Sequence, residues 1–184
     1  MSHIFINVVI TGEEYADDGA EVSVESKLAA YSENLDIEPY DEPCDECEYT
    51  KDGEVCKECQ GTGIAKSTYN PNSKWDWWVI GGRWDGVMCA LDRIDDKGGG
   101  FNFGDKFHTE ERNVCSIEDF KKDRENRIGF ALVTPDGQWH EKGTMGWFGI
   151  SHDDMAIQDW DNYVKKLLAS MPLDYKVVGV DAHI

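Results

Sequence analysis

Four of the chain's six cysteines fall within sixteen residues, as Cys44-Asp45-Glu46-Cys47 and Cys56-Lys57-Glu58-Cys59. No other feature of the 184 residues restricts the fold so tightly. A C-x-x-C turn presents two sulfurs from one knuckle, and two knuckles meet if the eight residues between them double back. Lys51-Asp52-Gly53-Glu54 offers a turn for that purpose. Zn²⁺ prefers four soft ligands in a tetrahedron, and four thiolates leave it no open position for catalysis. The spacing therefore points to one structural zinc ion held by Cys44, Cys47, Cys56 and Cys59. Cys89 lies in a strand pattern and Cys115 just before a helix, and both read as buried thiols.

The second knuckle continues as Gln60-Gly61-Thr62-Gly63. This C-x-x-C-x-G-x-G run resembles the cysteine-rich modules of DnaJ-type co-chaperones over about twenty residues. The first knuckle departs from that pattern, since Glu48-Tyr49-Thr50 follows it without glycines, and there is no J-domain signature. The resemblance implies zinc binding and not chaperone activity. Pro43-Cys44-x-x-Cys47 also matches half of the nucleobase deaminase signature. The H-x-E half is missing, because the single upstream histidine, His3, is followed by Ile4 and Phe5.

Charge restricts the partners. The formal charge is −19, and residues 1–60 hold seventeen acidic and three basic side chains, a balance of −14. Such a field repels nucleic acid and anionic membranes and attracts basic surfaces. Direct nucleic-acid binding is not expected, and neither is a membrane role. The first apolar run, Ile4 to Ile10, is too short to cross a bilayer, and no later run is longer. A soluble, cytoplasmic protein is expected, in the host cytoplasm if phage-encoded.

Periodicity predicts the elements. Residues 3–10 read as a buried strand and Thr11 to Gly19 as an acidic loop. A helix is predicted from Ser23, with Val24, Leu28, Tyr31 and Leu35 on one face. Asp36 to Pro43 reads as a linker, residues 64–74 as a loop, Val87 to Ile94 as a strand and Lys97 to Lys106 as a glycine-rich loop. Ser116-Ile117-Glu118-Asp119 opens a short helix. Thr134-Pro135-Asp136-Gly137 joins two strands of a hairpin. A helix from about Asp153 to Ser170 carries Ile157, Trp160, Val164, Leu167 and Leu168 as its apolar stripe, and Tyr175 to Ile184 is a final strand. The predicted architecture is one α+β domain over 1–184, a mostly antiparallel sheet with helices on one face. A small zinc-binding hairpin is inserted at about 41–63.

Four of seven tryptophans lie in Lys74-Trp75-Asp76-Trp77-Trp78-Val79-Ile80-Gly81-Gly82-Arg83-Trp84. This segment, preceded by Asn70-Pro71-Asn72-Ser73, is similar to one found in a family of phage proteins and their bacterial relatives. Met145 to Gly149 and Val177 to Ile184 extend the likeness. The resemblance implies a phage or prophage context and carries no activity with it. Buried aromatics most often belong to a core. The other use of such a segment is a ligand cleft formed by Trp77, Trp78, Arg83 and Trp84, with His140 or His183 as acid–base groups.

Two functional readings result. In the first, the protein binds a basic surface of a host macromolecule, as an inhibitor or DNA mimic, without catalysis. Its contact face would be Asp41, Glu42, Asp45, Glu46, Glu48, Asp52, Glu54 and Glu58 on the zinc-stiffened hairpin. In the second, it binds or processes a nucleotide or small ligand in the Trp/Arg/His cleft, and only this reading would make it an enzyme.

Overall fold

A computed structural model of the chain describes residues 2–49, 54–89, 110–122, 127–145 and 151–184. The fold is organised around β1 (His3–Ile10), in which the seven residues after His3 are all buried. A strand with neighbours on both edges and cover on both faces carries a continuous apolar run instead of an alternation. β10 (Lys176–His183) lies antiparallel along its whole length, from His3 opposite His183 to Ile10 opposite Lys176. On the other edge β6 (Ala131–Val133) runs parallel to β1, and β7 (Trp139–Glu141) pairs antiparallel with β6. Two short strands share the far edge of β10. β4 (Trp77–Ile80) pairs with its C-terminal half and β5 (Val114–Ser116) with its N-terminal end. Two hairpins stand outside this sheet: β2 (Tyr40–Pro43) with β3 (Ile64–Ser67), and β8 (Gly143–Met145) with β9 (Ser151–Asp153).

The class is α+β with a mixed, mostly antiparallel sheet, as expected. The helices divide between the two faces of the sheet instead of gathering on one. α1 (Gly12–Leu28) sets Ala20, Val24 and Leu28 against Ile4, Ile6, Val8 and Ile10. On the opposite face α3 (Ile117–Lys122) and α4 (Ile157–Ala169) set Phe120, Trp160, Val164 and Leu168 against Phe5 and Val9. The physical reason is in β1 itself: both of its faces are apolar, so each must be covered. α2 (Glu110–Asn113) is a single turn leading into β5.

The first helix starts at Gly12 and not at Ser23, so the acidic loop expected over 11–19 is helical. Thr11 caps it reciprocally: the Glu14 amide donates to Thr11 Oγ1 (3.0 Å) and the Thr11 amide to Glu14 Oε2 (2.9 Å). The helix kinks at Gly19, where φ is 78°, and Ser23 lies within it as a residue whose hydroxyl donates to the Gly19 carbonyl at 2.7 Å. Val24 and Leu28 are buried as predicted, whereas Leu35 lies beyond the helix and is exposed.

Other differences are local. The linker and loop expected on either side of the cysteines contain β2 and β3, which pair with each other. Val87 to Cys89 forms a 3-10 turn where a strand was expected. Residues 90–94 and the glycine-rich segment 97–106 lie outside the described residues, as do 146–149 of the resembling segment. The hairpin through Thr134 and Gly137, the short helix with Ser116 Oγ accepting from the Asp119 amide (3.0 Å), α4 and β10 follow the prediction. α4 buries Trp160, Val164 and Leu168 but leaves Ile157 exposed at its first turn.

Candidate metal centre and the histidine–aspartate cluster

β2 and β3 form a ribbon whose last pair sets Pro43 opposite Ile64, and this delivers both knuckles to one end. The Cys44 amide donates to the Gly63 carbonyl at 3.0 Å, which closes the ribbon at the first ligand. In the first knuckle the Cys47 amide donates back to the Cys44 carbonyl (3.2 Å). In the second, the chain passes through left-handed backbone at Gln60 and Gly61, and Thr62 bonds the Cys59 carbonyl with both its amide (3.0 Å) and its hydroxyl (2.7 Å). The Gly63 amide then points at the Cys59 sulfur, 3.3 Å away. All four sulfurs lie within 4.8 Å of one another, close enough to hold a metal ion. The Cys44–Cys56 and Cys47–Cys59 sulfur pairs are 3.7 and 3.3 Å apart, well beyond the ~2.05 Å of a disulfide.

Electrostatics at the cluster are uneven. Burial opposes ionisation of Cys59, but the neighbouring Cys47 thiol and the Gly63 and Gly61 amides outweigh it and hold the Cys59 thiol at about 6. Contact with the Cys59 and Cys44 sulfurs pushes Cys47 up to about 12. Burial, followed by contact with Cys56, raises Cys44. Crowded sulfurs thus resist joint ionisation until a cation shares their charge. Cys44, Cys56 and Cys59 are buried, with Cys47 and Ala65 packed against them, and this cluster is separate from the two cores of the sheet.

Six of the acidic residues expected to form a contact face have described side chains on this module. Asp41, Asp45, Glu46, Glu54 and Glu58 are exposed and Glu42 is half-buried. Asp41 pairs with Lys66 at 2.6 Å on the ribbon surface. The side chain of Glu48 and all of Asp52, with the turn predicted at 51–54, fall outside the described residues. Val55 and Ile64 on the same module are also exposed, at 70% and 53%.

The residues of the expected aromatic cleft are spread through the molecule. Trp78 packs on the α1 side of the sheet and Trp84 on the other, where it stacks on Phe5 at 5.2 Å. Arg83 is exposed, and its backbone amide donates to Asp181 Oδ2 (2.9 Å). His140 is on β7, three strands from β10, with Nδ1 2.8 Å from the Tyr163 hydroxyl. Only Trp77 and His183 come together, as parallel rings 5.3 Å apart.

That contact belongs to a cluster built from the two chain ends. Antiparallel pairing of β1 and β10 sets His3 beside His183, with ring centroids 5.1 Å apart. His3 Nδ1 meets Asp181 Oδ1 at 2.7 Å, and His183 Nδ1 meets Asp76 Oδ1 at 2.6 Å. Asp181 is 2% exposed, and Gly82 presses against it so closely that a Cβ there would lie 2.5 Å from its side chain. The nearby turn is fastened in the same way: Asp85, also buried, accepts from Arg112 Nε (2.9 Å) and Asn113 Nδ2 (3.0 Å). Buried carboxylates on Asp85 and Asp181, satisfied by imidazole, guanidinium and amide donors, make the tryptophan segment a structural seam. His3, Asp76 and Asp181 escape sequence reasoning as a group, because strand register alone brings them together. The Asp181-Ala182-His183 run gave a partial signal.

No helix among the described residues is long and apolar enough to cross a membrane. No family model, curated protein or solved structure matches the chain.

Proposed function

We propose that Cys44, Cys47, Cys56 and Cys59 hold one structural zinc ion, and that the acidic ribbon stiffened by it docks on the basic surface of a macromolecular partner without catalysis. The observation that carries the reading is the coincidence of the sulfur cluster with exposed carboxylates on Asp41, Asp45, Glu46, Glu54 and Glu58. A tetrahedron of sulfurs ~2.3 Å from a central zinc has edges of roughly 3.8 Å, close to the sulfur separation of Cys44 and Cys56. Soft sulfur ligands with no carboxylate or open position suit a structural role. Outside the sulfur cluster the module has no buried apolar core of its own among the described residues, so metal binding and folding of the ribbon are one process. Four thiolates with one Zn²⁺ leave a further −2 at this acidic tip.

Carboxylates held on a rigid ribbon present fixed negative charge, the complement of a surface that ordinarily faces a phosphate backbone. Exposed Val55 and Ile64 supply apolar contact within the acidic rim, the anatomy of a docking patch. In the phage or prophage setting suggested by the tryptophan segment, the partner is a host nuclease, polymerase or defence complex.

Elemental analysis of purified protein tests the metal, with one zinc per chain expected and a metal-free yet ordered ribbon refuting it. Low-salt capture from host lysate tests the docking. Asp45→Lys/Glu46→Lys/Glu58→Lys should abolish capture of the partner, whereas Asp17→Lys/Asp18→Lys/Glu21→Lys on α1 makes the same change of net charge and should retain it. Equal loss in both variants, or capture that ignores salt, would leave only non-specific charge attraction.

A further inference from the structure

Two close sulfur contacts in the ribbon cross from one knuckle to the other. Cys47 Sγ is 3.3 Å from Cys59 Sγ, and Cys44 Sγ is 3.7 Å from Cys56 Sγ. A disulfide is about 2.05 Å long, so each sulfur of either pair need move less than about 1 Å to close one. Access singles out the first pair. Cys44, Cys56 and Cys59 are 7%, 5% and 5% exposed, whereas Cys47 is half-buried. An oxidant therefore meets Cys47 first, with the buried Cys59 sulfur in contact behind it. Exposed carboxylates on the module repel anionic oxidants and leave a small neutral one, a hydroperoxide, as the reagent that reaches it.

Oxidation of a cysteine follows its thiolate character and exposure, and metal ligation keeps the sulfur deprotonated. Peroxide takes two electrons from the Cys47 thiolate, leaving a sulfenic acid and one hydroxide. The Cys59 thiolate then attacks that sulfur, the S–S bond forms and the second oxygen leaves as hydroxide, both hydroxides taking protons from solvent. Cys59 is held to receive the bond by the Gly63 amide on its sulfur (3.3 Å) and by Thr62 on its carbonyl. Loss of two of its four ligands releases the metal, and a second peroxide joins Cys44 to Cys56 by the same steps. Bridges between the knuckles tie together the two arms of the ribbon, as the metal does. A bridge within one knuckle would join residues three apart and leave the arms free. The difference decides the shape of the module, which has no buried apolar core beside its sulfurs among the described residues.

We propose that Cys47 and Cys59 are a peroxide-reactive pair, and that oxidation exchanges the metal tie of the ribbon for disulfides between its two knuckles. The proposal rests on the structural zinc and is independent of the docking partner. The ribbon keeps its shape while the −2 of four thiolates and one Zn²⁺ disappears from its tip. Reduction restores the thiolates, so the change is reversible.

Anaerobic titration of the reduced, zinc-loaded, full-length chain with hydrogen peroxide tests it, the zinc content being measured first. A chromogenic chelator should report one zinc per chain released only when peroxide is added. Trypsin cuts after Lys51, Lys57 and Lys66, which leaves Cys44 and Cys47 on peptide 28–51, Cys56 on 52–57 and Cys59 on 58–66. Mass spectrometry without reductant should find 28–51 joined to 58–66 through Cys47 after the first equivalent, and 52–57 joined as well through Cys44 after the second. The oxidised chain should retain hydrogen-exchange protection over 40–47 and 56–67, which the reduced, chelated chain loses. Dithiothreitol with added zinc should return the metal to the chain. An internal Cys44–Cys47 bridge, a Cys56–Cys59 linkage, zinc retained under peroxide, or protection lost on oxidation would overturn the proposal. A reduced chain that holds no zinc would refute the metal itself, and this is seen before any peroxide is added.

Discussion

Gly82→Ala offers the sharpest test of whether the tryptophan segment is a structural seam. Gly82 has φ of +51°, a left-handed conformation that costs an L-residue about 1 kcal/mol. The added Cβ would also lie 2.5 Å from both Cβ and Oδ2 of Asp181. Asp181 cannot swing aside freely: it is 2% exposed, with its carboxylate oxygens bound to His3 Nδ1 (2.7 Å) and the Arg83 amide (2.9 Å). Relief of the clash must break at least one hydrogen bond to a charged group, about 2 kcal/mol. The sum is about 3 kcal/mol, which for a chain of this size lowers the melting temperature by roughly 6–12 °C. Gly137→Ala is the control, since Gly137 has φ of +80° and no atom within 4 Å of an added Cβ. It incurs the backbone cost alone, roughly 2–4 °C. Differential scanning calorimetry on both proteins measures the difference. If the two variants melt together, the close approach to Asp181 contributes nothing and the seam has been misread.

Three further outcomes are expected. Chelation of the metal, or Cys56→Ser, should remove hydrogen-exchange protection from residues 40–47 and 56–67 while β1 and β10 retain theirs, because the sulfur cluster is separate from both sheet cores. Glu14 should contribute acid-sensitive stability. Burial opposes its charge, but Lys27 and Thr11 outweigh this and hold its carboxyl below the ordinary 4.5. With the folded value depressed, the contribution is complete above the unfolded value and lost as pH falls through the folded one. Wild type should thus exceed Glu14→Gln by about 0.5–1 kcal/mol at pH 7 and by nothing near pH 2 in urea titrations. Trp160→Phe should cost about 2–3 kcal/mol, seen as a lower urea midpoint at unchanged slope, because the buried indole donates to the Gly129 carbonyl at 2.9 Å and Phe leaves that carbonyl unpaired.

What could be read from the letters was what short-range geometry decides. Two C-x-x-C pairs eight residues apart restrict four sulfurs to one neighbourhood, and the sulfurs do converge. Thr134-Pro135-Asp136-Gly137 turns back on itself, and the stripe through Trp160, Val164 and Leu168 buries, because each depends on backbone within a few residues. The start of α1 was legible in principle as the Thr11–Glu14 capping pair, but the acidic residues after it carry no clear apolar stripe. Tertiary structure decided the rest. Whether Trp78 and Trp84 line a cleft or cover opposite faces depends on β4 joining β10, a partner about a hundred residues away. The His3–Asp181 and His183–Asp76 pairs exist because the first and last strands lie side by side in one register. Lys122, Arg127 and Lys176 come near one another, from α3, the residues after it and β10, only once the sheet has assembled. Local spacing determines a turn or a knuckle, because few conformations connect nearby residues. Contacts across a sheet arise from register and burial summed over the whole chain, which no short segment contains.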